Sequence, residues 1–259
     1  AFDEAMTSTP TISISGTSIS NQVMTKIIGG SGSGPGSPLG ADIDGEALND
    51  YSGYSVSLSS DGSRVAIGAY GNDGNGSLSG HVRIYDYNGS AWVQVGDDID
   101  GEAPNNYSGW SVSLSPDGSR VAIGAYGNDG AQNSNKTDSG HVRIYEYSSG
   151  SWNQLGDDID GEAANDNSGY SVSLSSDGSR VAIGASGNDA NGSNSGHVRI
   201  FQYYLQYDQW IRVGNIPGEA ANDMSGSSVS LSSDGSRVAI GASGNDANGT
   251  NSGHVRIYE

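Results

Sequence analysis

Asp61-Gly62-Ser63-Arg64-Val65-Ala66-Ile67-Gly68-Ala69 is a tight turn followed by a short apolar run, and the same nine residues return unchanged from Asp117, Asp177 and Asp234. The spacings are 56, 60 and 57 residues, so the chain reads first as an internal repeat. Two further signatures keep step. Ser-Gly-His-Val-Arg-Ile recurs from Ser79, Ser139, Ser195 and Ser252, and Gly-Glu-Ala from Gly45, Gly101, Gly161 and Gly218.

Outward from the turn, each unit reads as four short strands. Tyr54-Ser55-Val56-Ser57-Leu58-Ser59 alternates with a period of two, and Ser60 to Ser63 turns it back. Arg64 to Ala69 is the second strand, with Val65 and Ile67 on one face and Ala66 and Gly68 on the other. A Gly- and Asn-rich loop, Gly71 to Ser77, leads to a third strand, His81 to Tyr85. The Asn88-Gly89 turn leads to a fourth, Ala91 to Val95, and no segment has helical periodicity. This pattern predicts an all-β fold, a β-propeller of four-stranded antiparallel blades in four sequence repeats of about 57 residues. A β-solenoid would use shorter coils without two hairpin turns per unit.

Composition removes several functions. The 259 residues hold 11 Lys+Arg against 30 Asp+Glu, a net charge of -19, and such a chain repels phosphate backbones, which speaks against nucleic-acid partners. With no Cys, disulfides, thiolate metal sites and cysteine nucleophiles are excluded. Apolar runs such as Val65 to Ala69 are far below the roughly 20 residues of a membrane span, so membrane insertion is not expected.

Ser52-Gly53-Tyr54-Ser55-Val56, Val65-Ala66-Ile67-Gly68-Ala69 and Gly80-His81-Val82-Arg83-Ile84-Tyr85 resemble the FG-GAP repeats of integrin-α-type propellers. Those read Phe-Gly-x-Ser-Val, an apolar run ending Gly-Ala-Pro, and Gly-x-Val-x-Ile-Tyr. Ser115 to Arg120 is similar to the strand turn of TolB-like propellers. The resemblance covers residues 41–259 and implies an extracellular or cell-surface propeller that binds or adheres. Ser-Gly replaces Phe-Gly here, and Gly-Ala-Tyr or Gly-Ala-Ser replaces Gly-Ala-Pro. Blades of that family often carry an Asp-x-Asp-x-Asp-Gly calcium loop between their first two strands. Ser59-Ser60-Asp61-Gly62-Ser63 offers one carboxylate there, so that site does not carry over.

The expected organisation is an N-terminal extended strand segment at 1–28, a Gly/Ser/Pro linker at 29–40 and the propeller at 41–259, with repeats 41–96, 97–156, 157–214 and 215–259. Residues 1–28 resemble part of a bacterial immunoglobulin-like adhesin repeat. The last copy stops at Tyr258-Glu259 without a fourth strand. Either the N-terminal strand completes that blade and the ring closes within the chain, or the four blades belong to a larger ring that self-association completes.

Antiparallel strands send consecutive loops to opposite ends of a blade, so the loop between strands two and three shares its end with the connection between blades. Both are acidic. Asp73, Asp129, Asp189 and Asp246, with His81, His141, His197 and His254, form the candidate ligand-binding face. Asp42, Asp44, Glu46, Asp50, Asp98, Asp100, Glu102, Asp158, Asp160, Glu162 and Asp166 are candidate metal ligands, because carboxylate and amide oxygens beside glycine suit calcium. The fourth copy, Asn215-Ile216-Pro217-Gly218-Glu219, has lost both aspartates, which argues against four equivalent sites. The plainer reading is a solvated acidic surface. One His per repeat could converge on a metal or a sugar, while the plainer reading is a hydrogen bond between loop and blade. Arg83, Arg143, Arg199 and Arg256 are expected to pair with carboxylates between blades. Trp92, Trp152 and Trp210 on fourth strands suit covering blade edges better than stacking on sugars, and Trp110 stands where other copies have Tyr54, Tyr170 and Ser227.

No Gly-x-Ser-x-Gly elbow is present, and a catalytic centre needs unlike residues meeting once, whereas this chain offers like residues four times. The expectation is a non-enzymatic binding or adhesion module that presents acidic loops to a protein or glycan, with calcium as its only candidate cofactor. The alternatives are a structural spacer or filament unit of a large surface protein, and a polysaccharide-active enzyme working in the central channel.

Overall fold

The computed structural model of the chain describes residues 36–130 and 136–259. The expected adhesin-like segment at 1–28 and most of the linker lie outside the described residues. Leu39–Glu259 forms one compact unit.

Each sheet follows from its turn chemistry. Blade 1 runs β1 (Ser55–Leu58), β2 (Arg64–Ala69), β3 (His81–Tyr87) and β4 (Trp92–Gln94), paired antiparallel in that order. The β1–β2 hairpin is locked by Asp61, whose Oδ1 accepts from Ser59 Oγ, Ser63 N and Ser63 Oγ at 2.7, 3.0 and 2.8 Å. Those donors, led by the Ser63 N–H, hold its carboxyl down at about 2. Asp117, Asp177 and Asp234 do the same in their own hairpins.

Blade 2 is β6 (Ser111–Leu114), β7 (Arg120–Ala125), β8 (His141–Ser148) and β9 (Ser151–Gln154). Blade 3 is β11 (Ser168–Leu174), β12 (Arg180–Ala185), β13 (His197–Tyr204) and β14 (Gln209–Pro217). Blade 4 has three strands, β15 (Ser225–Leu231), β16 (Val238–Ala242) and β17 (His254–Tyr258). The connections contribute two strands that the sequence does not announce: β5 (Ile99–Asp100) pairs with β3, and β10 (Ile159–Asp160) pairs with β8. There is no helix among the described residues, hence none long and apolar enough to cross a membrane.

The core lies between blades. Ala66, Val82 and Ile84 of blade 1 pack on Leu114, Val121, Ile123 and Tyr145 of blade 2, with Ile99 of the connection. Ala122, Val142 and Ile144 of blade 2 meet Val172, Leu174, Val181, Ile183 and Phe201 of blade 3. Ala182 and Val198 of blade 3 meet Val238 and Ile240 of blade 4. At each of the three junctions the earlier blade thus presents the face that carries its second-strand alanine and the later blade the face that carries its second-strand valine and isoleucine. Gly124 shows how close the approach is: a Cβ built on it would stand 2.1 Å from the Gly169 carbonyl oxygen of the next blade. The four antiparallel sheets are the blades of a β-propeller, in which blade 1 packs on 2, 2 on 3 and 3 on 4.

Candidate functional site

Strand direction gathers the acidic segments at one end. Each first strand enters from a connection, each second strand leaves into a polar loop, and each third strand begins there with its histidine.

The loop aspartates serve the loops. Oδ1 of Asp73, Asp129, Asp189 and Asp246 accepts from the backbone N–H of Leu78, Asp138, Asn194 and Asn251, at 2.8, 3.0, 2.7 and 2.6 Å. Asp50 and Asp166 are buried in a turn just before the first strand. Asp50 Oδ2 accepts from Ala47 N at 2.9 Å and Asn72 Nδ2 at 3.3 Å. Asp166 accepts from Ala163 N at 3.0 Å and Asn188 Nδ2 at 3.1 Å. These bonds explain the Asn-Asp pair in the loops of blades 1, 3 and 4, and they occupy carboxylates that the sequence offers as metal ligands.

The remaining carboxylates sort by blade. His81 Nδ1 lies 3.8 Å from Glu46 and 3.7 Å from Asp98. His141 Nδ1 lies 3.7 Å from both Glu102 and Asp158. Each triad joins the connection entering a blade, the histidine opening its third strand and the connection leaving it. Both histidines are buried, and His141 Nδ1 has no hydrogen-bond partner among the described residues. Burial, aided by repulsion from Arg143, drives the His141 imidazole down to about 3, so at neutral pH it is uncharged and carries a lone pair. Asp100, Asp160 and Glu102 are all pushed up, chiefly by burial.

The third and fourth copies break the pattern. Asn215 stands where Asp98 and Asp158 do, and Glu162, 3.9 Å from His197, instead ion-pairs with Arg212. Among the carboxylates of the described residues, His254 has Glu219 nearby, at 3.8 Å. Asp42 and Asp44 are exposed and join neither triad. Among the described residues the histidines do not make the expected loop-to-blade hydrogen bond to their carboxylate neighbours, which stand beyond hydrogen-bond distance. That tie comes instead from the arginine two residues on. Arg83, Arg143, Arg199 and Arg256 donate to the carbonyls of Asp44, Asp100, Asp160 and Pro217, at 2.7, 2.6, 2.8 and 3.2 Å.

Fourth-strand tryptophans seal edges. Trp152 Nε1 donates to Val95 O and Trp210 Nε1 to Leu155 O, each at 2.8 Å, bridging to the preceding blade. Beside them lie two equivalent recesses. One, of about 290 Å³, is lined by Asp97, Asp98, Asp100, Tyr145 and Trp152. Its counterpart, about 280 Å³, is lined by Asp157, Asp158, Asp160, Phe201 and Trp210.

An aromatic row at the same end goes beyond what the sequence suggests. Tyr51 stacks on Tyr70 (centroids 5.1 Å apart), and Tyr107 stacks on Tyr126 (5.1 Å). Trp110 touches Tyr54, Tyr70, Tyr126 and Tyr170 at 4.6 to 5.7 Å, joining three blades. Tyr51 and Tyr54 are about half exposed. Partial burial raises Tyr126 to about 12, so its hydroxyl remains a hydrogen-bond donor at any physiological pH. The row is not fourfold, since Ser186, Ser227 and Ser243 replace its members further along the chain. The signal was present as Tyr-Ser-Gly-Tyr and Tyr-Ser-Gly-Trp before the first strand, and Ala-Tyr-Gly after the second.

Residues 42–85, 159–201 and 217–258 match the family model described as FG-GAP repeat. No curated protein matches the chain. Among solved structures it is similar to a protein assigned as a 6-phosphogluconolactonase from Bacteroides uniformis, with a TM-score of 0.53 and 12% identity over 79% of this chain and 49% of that one. It is also similar to the hydrazine synthase of Kuenenia stuttgartiensis, with a TM-score of 0.46 and 19% identity over 78% of this chain and 58% of that one. The chain therefore spans about half the length of the first of these. At 12% identity the likeness to the first is one of fold. The chain is a β-propeller in which blades 1, 3 and 4 carry the matched FG-GAP repeats.

Proposed function

We propose that the chain is a non-enzymatic extracellular or cell-surface module that binds a glycan across the aromatic row. One observation carries this reading: an aromatic surface at the acidic end that three blades share and the fourth lacks. The scaffold repeats four times, but a ligand needs one place to sit. Exposed aromatic rings supply flat apolar area with few degrees of freedom, and their hydroxyls, with the neighbouring carboxylates and amides, supply the polar contacts that orient a ligand. A hydroxylated, neutral or cationic saccharide fits that chemistry, whereas a polyanion does not. A protein ligand on the same acidic face is the second reading.

The test exploits the repeat itself. Tyr70→Ser and Tyr126→Ser install the residue that blades 3 and 4 hold at the equivalent position, and Trp110→Ser the residue that blade 4 holds, so the fold is expected to survive. Glycan-array screening followed by calorimetry is expected to find a saccharide that the wild type binds and the triple variant does not. Wild-type chain that captures no saccharide at any calcium concentration ends the proposal.

Within this reading a divalent cation belongs at the two complete triads, Glu46–His81–Asp98 and Glu102–His141–Asp158. The family's calcium loop does not fit here, because its single carboxylate is already bound by serines. One neutral imidazole with two carboxylates is a donor set for zinc- or manganese-class ions more than for calcium, which takes oxygens. Titration of the chelated protein with zinc, manganese and calcium in turn is expected to raise the melting temperature with the first two. No shift with any of them removes the cation.

A further inference from the structure

The three interfaces within the chain are built from the same parts. Ser55, Ser111 and Ser171 Oγ donate to the carbonyls of Gly109, Gly169 and Gly226 in the next blade, at 2.7, 2.7 and 2.8 Å. Leu114, Leu174 and Leu231 N donate back to Ser57, Ser113 and Ser173 Oγ, at 2.9, 3.0 and 2.9 Å. Arg64, Arg120 and Arg180 donate to the carbonyls of Gly118, Gly178 and Gly235, at 2.7, 3.2 and 2.9 Å. Under these bonds Val82, Ile84, Val142, Ile144 and Val198 lose essentially all contact with water.

The same parts stand uncovered at the two ends. On blade 4 the equivalents of the sealed pairs, Val255 and Ile257, are 68% and 71% exposed. On blade 1, Val56 and Leu58 are 63% and 58% exposed, although Leu114 and Leu174 at that position are buried. The polar halves are there too: Ser228, Ser230 and Arg237 on blade 4, with Gly53, Leu58 and Gly62 on blade 1. The two ends are thus the two complementary halves of an interface the chain already makes three times.

We propose that a second copy of this chain docks head to tail, blade 1 of one on blade 4 of the other, and repeats that interface a fourth time. Ser228 and Arg237 then donate to the Gly53 and Gly62 carbonyls, and Leu58 N donates to Ser230. The contact joins unlike surfaces, so it propagates until a ring closes. Two chains close an eight-bladed ring, within the range that propellers use. Apolar surface and hydrogen-bond geometry proven inside the chain, rather than a new fit, supply the affinity.

The measurement is the mass in solution of the 259-residue chain, by light scattering and sedimentation between micromolar and 100 µM. The expected result is a species of twice the 26.5 kDa chain mass. Leu58→Asp and Ile257→Asp lie at opposite ends on already exposed side chains, so each is expected to fold and to remain monomeric. Mixing the two variants leaves one junction with both wild-type faces, and a dimer is expected to return. Wild-type chain that stays monomeric at 100 µM overturns the proposal and leaves the open ends to blades from another source. Single variants that dimerise as well as the wild type overturn it equally.

Discussion

Burial of single groups has consequences that a titration can read. His197 is buried, and desolvation, followed by repulsion from Arg199, brings it down to about 4 from its ordinary 6.5. The unfolded chain takes the proton first as pH falls. The contribution of this residue to stability is therefore intact above about 6.5 and gone by about 4. Each pH unit crossed in that window costs about 1.4 kcal/mol. Melting temperature is expected to fall steadily between those limits in chelated buffer, and His197→Gln is expected to flatten part of the slope. An unchanged slope in that variant means the histidine is not the group responsible. The hairpin aspartates act in a lower window. Asp61 and Asp234 sit at about 2, held by serine N–H and hydroxyl donors, so their contribution persists above about 4 and disappears as pH falls toward 2.

At the level of the strand, the spacing between blades rests on glycine. A Cβ on Gly124 would meet the Gly169 carbonyl at 2.1 Å and Ser111 Oγ at 2.3 Å, and the carbonyl is backbone that cannot swing away. Gly241 is the same residue in blade 4, where the nearest obstacles all belong to Ser228, whose Oγ lies 2.3 Å away and can rotate. Gly124→Ala is expected to cost at least about 3 kcal/mol by forcing two blades apart, and Gly241→Ala about 1 kcal/mol or less. Urea unfolding of both variants, at concentrations that keep the chain monomeric, checks this, and equal losses would show that the close approach is not what fixes the glycine. The strand pattern was readable because alternation and Asp-Gly turns are local. β5 and β10 were not, because two residues carry no period, and their pairing with β3 and β8 depends on where the connection lies.

At the scale of the whole propeller, the described blades pack on their chain neighbours, so stability is a sum of blade and junction contributions. Among the described residues blades 2 and 3 have two junctions each, whereas blades 1 and 4 have one. Hydrogen exchange at concentrations that keep the chain monomeric is expected to be slowest for the amides of β7 and β12 and fastest for those of β1 and β17. Uniform protection would contradict a nearest-neighbour array. A charge of -19 on every copy opposes any association of chains, so raising the ionic strength from about 10 to 150 mM is expected to shift the sedimentation profile toward the larger species. A shift toward monomer would mean that ion pairs, rather than apolar faces, dominate the contact.

The chain's order of residues was enough to determine four like units, their hairpins, the inward- and outward-facing positions of their strands and the gathering of acidic loops at one end. All of these follow from short-range alternation, turn residues and strand direction. Only the folded molecule decided which carboxylates the backbone claims. Asp50 and Asp73 accept backbone N–H groups, whereas Glu46 faces Arg83 at 3.5 Å and Asp98 accepts from Gln94 Nε2 at 2.6 Å. It also decided that Tyr51, Tyr70 and Trp110 meet, since they flank different strands in two blades. The exposed Val56 and Ile257 were likewise invisible in sequence, because they are the same residue types as their buried counterparts. What separates them is whether another blade stands in front, and that is a property of the assembly rather than of the repeat.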